Sequence, residues 1–175
     1  VNKTGVPRNV PLFQPVTYEG SRDTDPRYVI LTRLKQAPYP FVLNLHLTTL
    51  VGVRGENAWS EVVDAARVTR SQQISGVISL VEQHVLIPQL PMILMGDFNA
   101  TADEYTLRDL LEQEHGILQL KPQDNIATHS HAGAVDHIYF FPAKRLVEYK
   151  CYVVSTPLSH MISDHLPVVA DIKFQ

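Results

Sequence analysis

Residues 56–87 carry apolar side chains that recur with the 3.6-residue period of a helix. This period predicts an amphipathic helix with one buried face, weakened by about 1 kcal/mol at Gly76 relative to alanine. Pro88 and Pro91 end the helix, and the wholly apolar run MILM follows at 92–95. A short apolar run of this kind is typical of a central strand that is buried on both faces. The chain therefore predicts a domain that combines helices with a sheet.

Further elements are predicted on both sides of this helix and strand. Residues 28–34 and 41–47 alternate as strands, and the turn QAPYP between them indicates an antiparallel hairpin. A capped helix is expected over 101–116, followed by strands over VDHIYFF, LVEYKCYVV and PVVADIKF. Residues 1–27 are rich in Pro, Gly, Asn and Asp and indicate a loop-rich start. The order β-β-α-β-α-β-β-β indicates one mixed α/β or α+β domain over 1–175.

Composition limits the class of protein. The 175 residues are enough for one ordinary domain, and 45% hydrophobic with 19% charged residues excludes a disordered chain. The net charge is −3 without any Lys/Arg run, which gives no support to tight non-specific nucleic-acid binding. The single cysteine, Cys151, excludes an internal disulfide, and its alternating neighbours indicate core packing. No apolar run approaches the roughly 20 residues that span a bilayer.

The segment ATHSHAGAVDHIYFF, residues 127–141, places three histidines and an aspartate within nine positions. Imidazole and carboxylate groups are common metal ligands, so one interpretation is a zinc site. The spacing is unusual for such a site, because four residues separate His131 from Asp136 where a metallo-β-lactamase cluster has one. The residues alone therefore leave two interpretations, a metal cluster or a turn in which one or two side chains do chemistry.

Polar side chains also occur next to predicted strand ends, where the active sites of α/β proteins commonly lie. Asp97 and Asn99 follow the strand at 92–95, and Asp164 and His165 precede the last strand. A carboxylate can ligate a hard cation or hold a water, and an amide can donate to a phosphoryl oxygen. Each pair is equally compatible with an ordinary turn, because Asp, Asn and Ser favour turns.

Two further polar residues lie on or beside predicted strands. His46 shares the polar face of strand 41–47 with Asn44, and Asp136 comes directly before HIYFF. A lone histidine on a strand is more often structural than catalytic. A catalytic role for His46 is therefore supported only together with the other segments.

Together, the segments NLHLTT, MGDFNA, AVDHIYFF and SDHLPV resemble the endonuclease/exonuclease/phosphatase superfamily, in which motifs of this kind follow one another in this order. The resemblance extends from about residue 28 to the end of the chain. It implies an α+β fold of the four-layer α/β type, with a DNase I-like β-sandwich flanked by helices. On the long predicted helix, Arg70 and Gln73 look like the family's Arg-x-x-Gln, which we interpret as a structural brace.

The resemblance implies a catalytic set. It implies that Asp97 aligns and activates the attacking water and that Asn99 steadies this water and the phosphoryl oxygens. It implies a pair, Asp136 and His165, that binds phosphate, because a paired carboxylate favours imidazolium. His46 lies where the family places a histidine that stabilises the transition state or protonates the leaving oxygen. The family's cofactor is Mg²⁺ or Mn²⁺, for which the resemblance suggests the ligands Asp164, Asp97 and Asn99.

The resemblance also bears on the histidine-rich segment. Only Asp136 matches the family's pattern there, as the partner of His165. His137 alternates to the other face of its strand, and His129 and His131 fall in the preceding loop, where they could at most touch substrate. We therefore expect the zinc-like spacing to be a coincidence of sequence.

One departure from the family's pattern is large. The family's domain begins with a strand that carries an Asn and a second strand that ends in Gln-Glu, whose Glu is the principal Mg²⁺ ligand. Glu19 lacks the preceding Gln, and no other residue matches. Residues 1–175 therefore correspond to the C-terminal part of one such domain. Because each sheet would lack strands, we expect exposed apolar sheet surface. We also expect either self-association or a cut from a longer polypeptide, and little activity of the chain alone.

The expected function is hydrolysis of a phosphoric ester by in-line attack of an activated water. A phosphodiester is favoured over a phosphomonoester, because AVDHIYFF stands where the inositol phosphatases carry a basic Cys-Asp-Arg-type stretch. A nucleic acid and a phospholipid-type diester both remain as substrates. The alternative is a non-catalytic binding module of the same fold. Loss of the Glu would fit that alternative, and the presence of all five later catalytic positions argues against it.

Overall fold

A computed structural model describes residues 8–11, 27–49 and 60–175. Within these ranges the strands are β1 Arg8–Pro11, β2 Tyr28–Arg33, β3 Phe41–His46, β4 Met92–Asp97, β5 Leu118–Gln119, β6 Asp136–Phe141, β7 Leu146–Val153 and β8 Val168–Phe174. The α-helices are α1 Ser60–Val81 and α2 Pro157–Ile162. Shorter helical segments are the π-type turns Glu82–Leu86, the π-type helix Thr106–Glu114 and the 3-10 turn Ala143–Arg145. None of the helices in these ranges is long and apolar enough to cross a membrane.

The larger sheet has six strands in the order β1-β2-β3-β4-β6-β5. β2 and β3 form the predicted antiparallel hairpin, in which Leu31 lies opposite Leu43. β4 runs parallel to β3, with Asp97 beside His46, and antiparallel to β6, with Asp97 beside Asp136. The ends of β3 and β4 and the beginning of β6 therefore meet at one edge of the sheet.

Helix α1 covers one face of the larger sheet. Leu43 of β3 and Leu94 of β4 are fully buried in the same cluster as Ile74 and Val77 of α1. This packing confirms the apolar face predicted for the long helix. Residues 56–59 of that prediction lie outside the described part of the chain.

The two-stranded sheet of β7 and β8 lies against the other face of the larger sheet. A second apolar cluster fills the space between the sheets and is built around Leu120, Phe140 and Cys151. Cys151 is fully buried, and burial raises the pKa of its thiol, so its predicted core position is confirmed. The stacked sheets with a helix on the outside confirm the expected α+β architecture.

Two short strands depart from the prediction. β1 lies inside residues 1–27, which composition predicted as loop, and it pairs antiparallel with β2. The rest of that segment up to residue 26 lies outside the described residues. β5 has two residues and pairs with β6. A strand of two residues is too short to show alternation, so periodicity gives no signal for it.

The sheet face opposite α1 is partly exposed on β2 and β3. Tyr28 and Ile30 of β2 are 42% and 41% exposed, and Asn44 and His46 of β3 are also exposed. Apolar side chains are thus exposed on the larger sheet, in agreement with the expected exposed apolar sheet surface. Self-association through this face stays a prediction.

Candidate active site

Four chain segments bring polar side chains to the sheet edge where β3 and β4 end. His46 ends β3, Asp97 ends β4, and Asp136 begins β6. His165 reaches the same place from the segment that leads into β8. The register of the sheet explains the convergence, since His46, Asp97 and Asp136 lie side by side on three neighbouring strands.

His165 and Asp136 form a hydrogen-bonded pair, with Nδ1 of His165 2.9 Å from Oδ2 of Asp136. Burial alone would lower the pKa of His165, but the Asp136 hydrogen bond and the charges of Asp136, Asp97 and Asp164 raise that pKa above its ordinary value. Nε2 of the same ring lies 3.9 Å from Oδ2 of Asp97. The pair thus places a ring that favours the imidazolium form next to a second carboxylate.

The turn after β4 holds the Asp97 carboxylate from two sides. The backbone N–H of Asn99 donates to Oδ1 of Asp97 at 2.8 Å, and the side-chain Nδ2 of Asn99 donates to Oδ2 of Asp97 at 3.2 Å. Nδ2 also donates to the carbonyl oxygen of Leu47 at 3.0 Å, which links this turn to the segment after β3. Asn99 has a φ of 49°, a conformation that Asn adopts more readily than most residues. Asn99 therefore orients Asp97.

His46 contacts Asp97 from the neighbouring strand, with Nε2 3.2 Å from Oδ2. Partial desolvation by the surrounding protein lowers the pKa of His46 although its side chain is 56% exposed, and the Asp97 charge opposes this effect. The protein thus shifts the pKa values of the two histidines in opposite directions, since it lowers that of His46 and raises that of His165. Divergent pKa values of neighbouring groups are a common mark of different proton-transfer roles.

Gly96 allows β4 to approach β3 just before Asp97. Its φ is +140°, and a Cβ at this position would collide with the carbonyl oxygen of Leu45. Glycine is therefore required both for the backbone conformation and for the space.

We expect Gly96→Ala to destabilise the protein by at least about 2 kcal/mol, since β4 must move away from β3 or adopt a strained φ. Urea denaturation followed by circular dichroism measures this loss. The substitution Gly116→Ala is the matched control, because Gly116 also has a positive φ of +64° but has no atom near its Cβ position. Equal effects of the two substitutions would show that the contact with Leu45 is unimportant.

Arg70 and Gln73 of α1 fix the segment that follows β3. Arg70 is 1% exposed and forms a two-pronged ion pair with Glu104, with Nε–Oε1 2.8 Å and Nη2–Oε2 2.6 Å. Nη1 of Arg70 donates to the carbonyl oxygen of Thr48 at 3.3 Å, and the Thr48 N–H donates to Oε1 of Gln73 at 3.0 Å. The helix thus ties the chain after His46 to the chain after Asn99, which confirms the predicted structural brace.

His137 points to the other side of β6, as predicted, and is 4% exposed. Nε2 lies 2.9 Å from the carbonyl oxygen of Ala100, and Nδ1 lies 3.0 Å from Nε2 of Gln119. A carbonyl only accepts, so Nε2 carries the proton and Nδ1 accepts from the amide. Burial lowers the pKa of His137. This neutral ring anchors the turn that carries Asn99 to β6.

The depressed pKa of His137 predicts an acid-sensitive contribution to stability. A base whose pKa is lower in the folded state stabilises the fold above its unfolded pKa, and the contribution is lost as pH falls from about 6.5 toward the folded value. We therefore expect the stability advantage of the wild type over His137→Gln to shrink between about pH 7.5 and about pH 5. Urea denaturation of both proteins across this range provides the measurement. An advantage that stays constant would contradict a buried neutral His137.

Two of the expected metal ligands, Asp97 and Asp164, fall into different groups of candidate ligand atoms, and both groups include His165. Asp97 groups with Asp136 and His165, whereas Asp164 groups with His129 and His165, and within each group the atoms lie within 4.8 Å of one another. The side chain of Asp164 is 73% exposed, and that of Asp97 is 16% exposed. The two groups have different chemistry, because the first has two carboxylates and the second has two imidazoles.

The structure buries His129 in its loop, where the sequence analysis expected at most a contact with substrate. His129 is 4% exposed, and its backbone forms bridges with Gly133 and His165. Its ring centroid lies 4.6 Å from that of His165, with the rings nearly perpendicular. His131 is exposed, in agreement with its predicted loop position. The sequence signal was present in the segment, but spacing alone does not show which histidine turns inward.

Arg27 is a neighbour of the site that the sequence analysis missed. It precedes β2 and is 8% exposed. Burial lowers the pKa of its guanidinium, and the charge of Asp97 opposes this shift. Its positive charge in turn contributes to lowering the pKa of His46. The surrounding sequence DTDPRY indicates only a turn, and it is the pairing of β2 with β3 that brings Arg27 to the site.

Comparison with solved structures supports the fold. The matches include an endonuclease/exonuclease/phosphatase from Bacteroides vulgatus, with a TM-score of 0.65, 16% identity and coverage of 97% of this chain and 65% of that chain. The human Nocturnin catalytic domain with bound sulfate matches with a TM-score of 0.61 and 17% identity. That match covers 100% of this chain and 59% of the Nocturnin chain. A mannosyl-6-phosphatase from Bacteroides thetaiotaomicron matches with a TM-score of 0.53 and 19% identity. That match covers 97% of this chain and 66% of the phosphatase chain. The chain thus spans less than two thirds of each of these proteins.

These likenesses confirm the predicted DNase I-like architecture. No curated protein matches the chain in sequence. A family model does match, under the description Endonuclease/Exonuclease/phosphatase family, and it covers residues 9–165. This range includes the strands that converge on the site and the pair of Asp136 and His165. The chain belongs to the endonuclease/exonuclease/phosphatase family.

Proposed function

We propose that the protein is a metal-dependent phosphoesterase that hydrolyses a phosphodiester by in-line attack of an activated water. The observation that carries the proposal is the convergence of Asp97, Asp136 and His165 at one sheet edge, with Asp136 bonded to His165 at 2.9 Å. A cationic ring held beside a fixed carboxylate can bind a phosphoryl group and orient a water at the same time. Membership of the endonuclease/exonuclease/phosphatase family supports this chemistry.

We assign Asp97 the role of binding and activating the attacking water. Its two oxygens accept hydrogen bonds from the backbone and side chain of Asn99, so the carboxylate has little rotational freedom. A fixed carboxylate can accept a hydrogen bond from a water and take its proton as the water attacks phosphorus. Positioning of this kind lowers the entropic cost of the reaction.

We assign His165 and His46 different roles at the phosphoryl group. His165 binds a phosphoryl oxygen and stabilises the charge that develops on it, because its raised pKa favours the imidazolium form. His46 has a lowered pKa, which favours the neutral ring. We therefore assign His46 a hydrogen bond to the transition state rather than transfer of a proton to the leaving oxygen.

The donor set suits a hard divalent cation, Mg²⁺ or Mn²⁺. Such cations prefer carboxylate oxygens, and the group of Asp97, Asp136 and His165 supplies two carboxylates. Asp97 is the first ligand that we assign, and Asp164 and Asn99 are further candidates at the rim. When bound, the cation supplies Lewis-acid stabilisation of the phosphoryl oxygens.

The substrate that we propose is a phosphodiester of the nucleic-acid or phospholipid type. A second candidate is a phosphomonoester, which is favoured by the likeness to a protein called a mannosyl-6-phosphatase. Both classes present a phosphoryl group to His165, so their relative rates of hydrolysis distinguish the two candidates.

The test compares bis(p-nitrophenyl) phosphate with p-nitrophenyl phosphate in Mg²⁺, in Mn²⁺ and in EDTA. We expect faster release of nitrophenol from the diester in either metal, and none in EDTA. Faster turnover of the monoester would favour the second candidate. Binding of phosphate without turnover of either compound would instead favour a non-catalytic module. The exposed variant His131→Ala is the matched control and should behave as the wild type does.

We expect the 175-residue chain by itself to hydrolyse the diester poorly, because none of its residues matches the family's metal-binding Glu. Imperfect positioning of the metal can reduce the rate by about 100-fold. The measurement compares this chain with a longer polypeptide that includes a Gln-Glu strand, alongside sedimentation to detect self-association. Equal specific activities would show that the Glu is unnecessary.

A further inference from the structure

We propose that His129 is held in one tautomer, with its proton on Nε2, and acts as a positioning residue for Asp164 and His165 rather than as a metal ligand. The positioning role rests on the proposed function, whereas the tautomer is independent of it. His129 lies in the part of the histidine-rich segment, before Asp136, to which the catalytic assignment gives no role.

The tautomer follows from two backbone hydrogen bonds. The N–H groups of His131 and Ala132 point at Nδ1 of His129, at 3.0 and 2.9 Å. A backbone N–H can only donate, so Nδ1 must accept both bonds. A neutral imidazole with an accepting Nδ1 carries its proton on Nε2. The ring is 4% exposed, which limits exchange of these partners for water.

This tautomer argues against a metal in the group formed by His129, Asp164 and His165. The ligand atoms of that group lie within 4.8 Å of one another, as in a metal site. A ligating imidazole presents a lone pair at one nitrogen and keeps a proton on the other. A metal at Nε2 of His129 would therefore require a proton on Nδ1. Two backbone N–H groups would then lose their acceptor, at a cost of about 1–3 kcal/mol each if they stay buried.

Nε2 of His129 lies next to the Asp164 carboxylate, within ion-pair distance. Nε2 lies 3.5 Å from Oδ2 of Asp164, whose side chain is 73% exposed. The backbone of the same loop binds the chain that carries Asp164, since the Leu166 N–H donates to the carbonyl oxygen of Thr128 at 2.7 Å. A fixed N–H beside an otherwise exposed carboxylate restricts where that carboxylate can go.

The ring of His129 also supports the ring of His165. The centroids lie 4.6 Å apart with an interplanar angle of 76°, and the two residues form a backbone bridge. His165 is thus held by Asp136 at Nδ1 and by the ring of His129 at its side. The loop that carries His129 thus positions both Asp164 and His165.

Two amide substitutions separate the functions of the two ring nitrogens. In His129→Asn, the side-chain oxygen takes the place of Nδ1 and can accept from His131 and Ala132, but the Nε2 donor is lost. In His129→Gln, the amide nitrogen takes the place of Nε2 and can donate toward Asp164, but the Nδ1 acceptor is lost. For His129→Asn we expect nearly wild-type stability and about a 10-fold lower kcat with little change in KM. For His129→Gln we expect lower stability and a smaller loss of kcat. Equal losses of stability and kcat in both variants would indicate a merely structural residue.

The direct test is a long-range nitrogen–proton correlation spectrum of the ¹⁵N-labelled protein, with His129 assigned by comparison with His129→Asn. We expect the Nε2-protonated pattern for His129, and no change in that pattern when equimolar Zn²⁺ is added. An Nδ1-protonated ring, or a His129 signal shifted by Zn²⁺, would overturn the inference. The spectrum requires no turnover. An Nε2-protonated His129 in a protein without hydrolytic activity would therefore count against the proposed function and leave the tautomer standing.

Discussion

Asp97→Asn is expected to lower kcat/KM for phosphodiester hydrolysis by about 1,000-fold while leaving the fold intact. The amide has the shape of the carboxylate and can still bond to Asn99, but it accepts a proton from water poorly. It also supplies a weaker ligand for a hard cation. Steady-state kinetics in Mg²⁺ gives kcat/KM, and urea denaturation gives the stability of the same preparation.

Asn99→Asp is the matched comparison, since it leaves the Asp97 carboxylate in place but removes the two hydrogen bonds donated by Nδ2 and places a second negative charge beside Asp97. We expect it to be impaired less than Asp97→Asn, because the attacking water retains its base. An Asp97→Asn variant with more than about a tenth of the wild-type kcat/KM would show that Asp97 does not activate the water.

Arg70→Met is expected to destabilise the protein by about 3–5 kcal/mol, because it leaves the mostly buried Glu104 carboxylate with only the longer contact to exposed Arg67, at 3.9 Å. The exposed fraction of the Arg70 side chain is 2%, and that of Glu104 is 11%. The same substitution removes a donor to Thr48, so the segments after β3 and after β4 lose one of their connections, while the Asn99–Leu47 hydrogen bond remains. Urea denaturation measures the loss of unfolding free energy.

The double variant Arg70→Met/Glu104→Leu provides the control. Replacing both members of a buried ion pair by apolar side chains is often nearly neutral, so we expect it to recover most of the stability. Recovery of stability without recovery of activity would show that the pair also positions the site. A double variant as unstable as Arg70→Met would show that the loss comes from the contacts with Thr48 instead.

The elements that could be predicted are those with a long, regular pattern. β3 alternates between buried Leu43 and Leu45 and exposed Asn44, and α1 repeats its buried side chains with the helical period. Periodicity does not reach short strands, which explains the failure at β1 and β5. The register of the larger sheet then brings together residues far apart in the chain, and motif order anticipated this for His46, Asp97 and Asp136.

Residues without a motif escaped prediction. Arg27 lies in a turn-like segment at the start of the predicted β2–β3 hairpin, and only the pairing of β3 with the distant β4 puts Asp97 near it. His129 lies in the histidine-rich segment, but its inward orientation depends on the Thr128–Leu166 hydrogen bond and the bridge to His165. In both cases the side chain is oriented by a partner distant in sequence.

Hydrolysis of a phosphodiester in water labelled with oxygen-18 tests the proposed chemistry most directly. Mass spectrometry of the products shows which bond breaks and where the oxygen of the attacking water goes. In-line attack at phosphorus predicts label in the phosphate-bearing product and none in the released alcohol, with the reaction absent in EDTA and in His165→Asn. Label in the alcohol, or undiminished turnover in EDTA, would contradict a metal-dependent phosphoesterase centred on Asp97, Asp136 and His165.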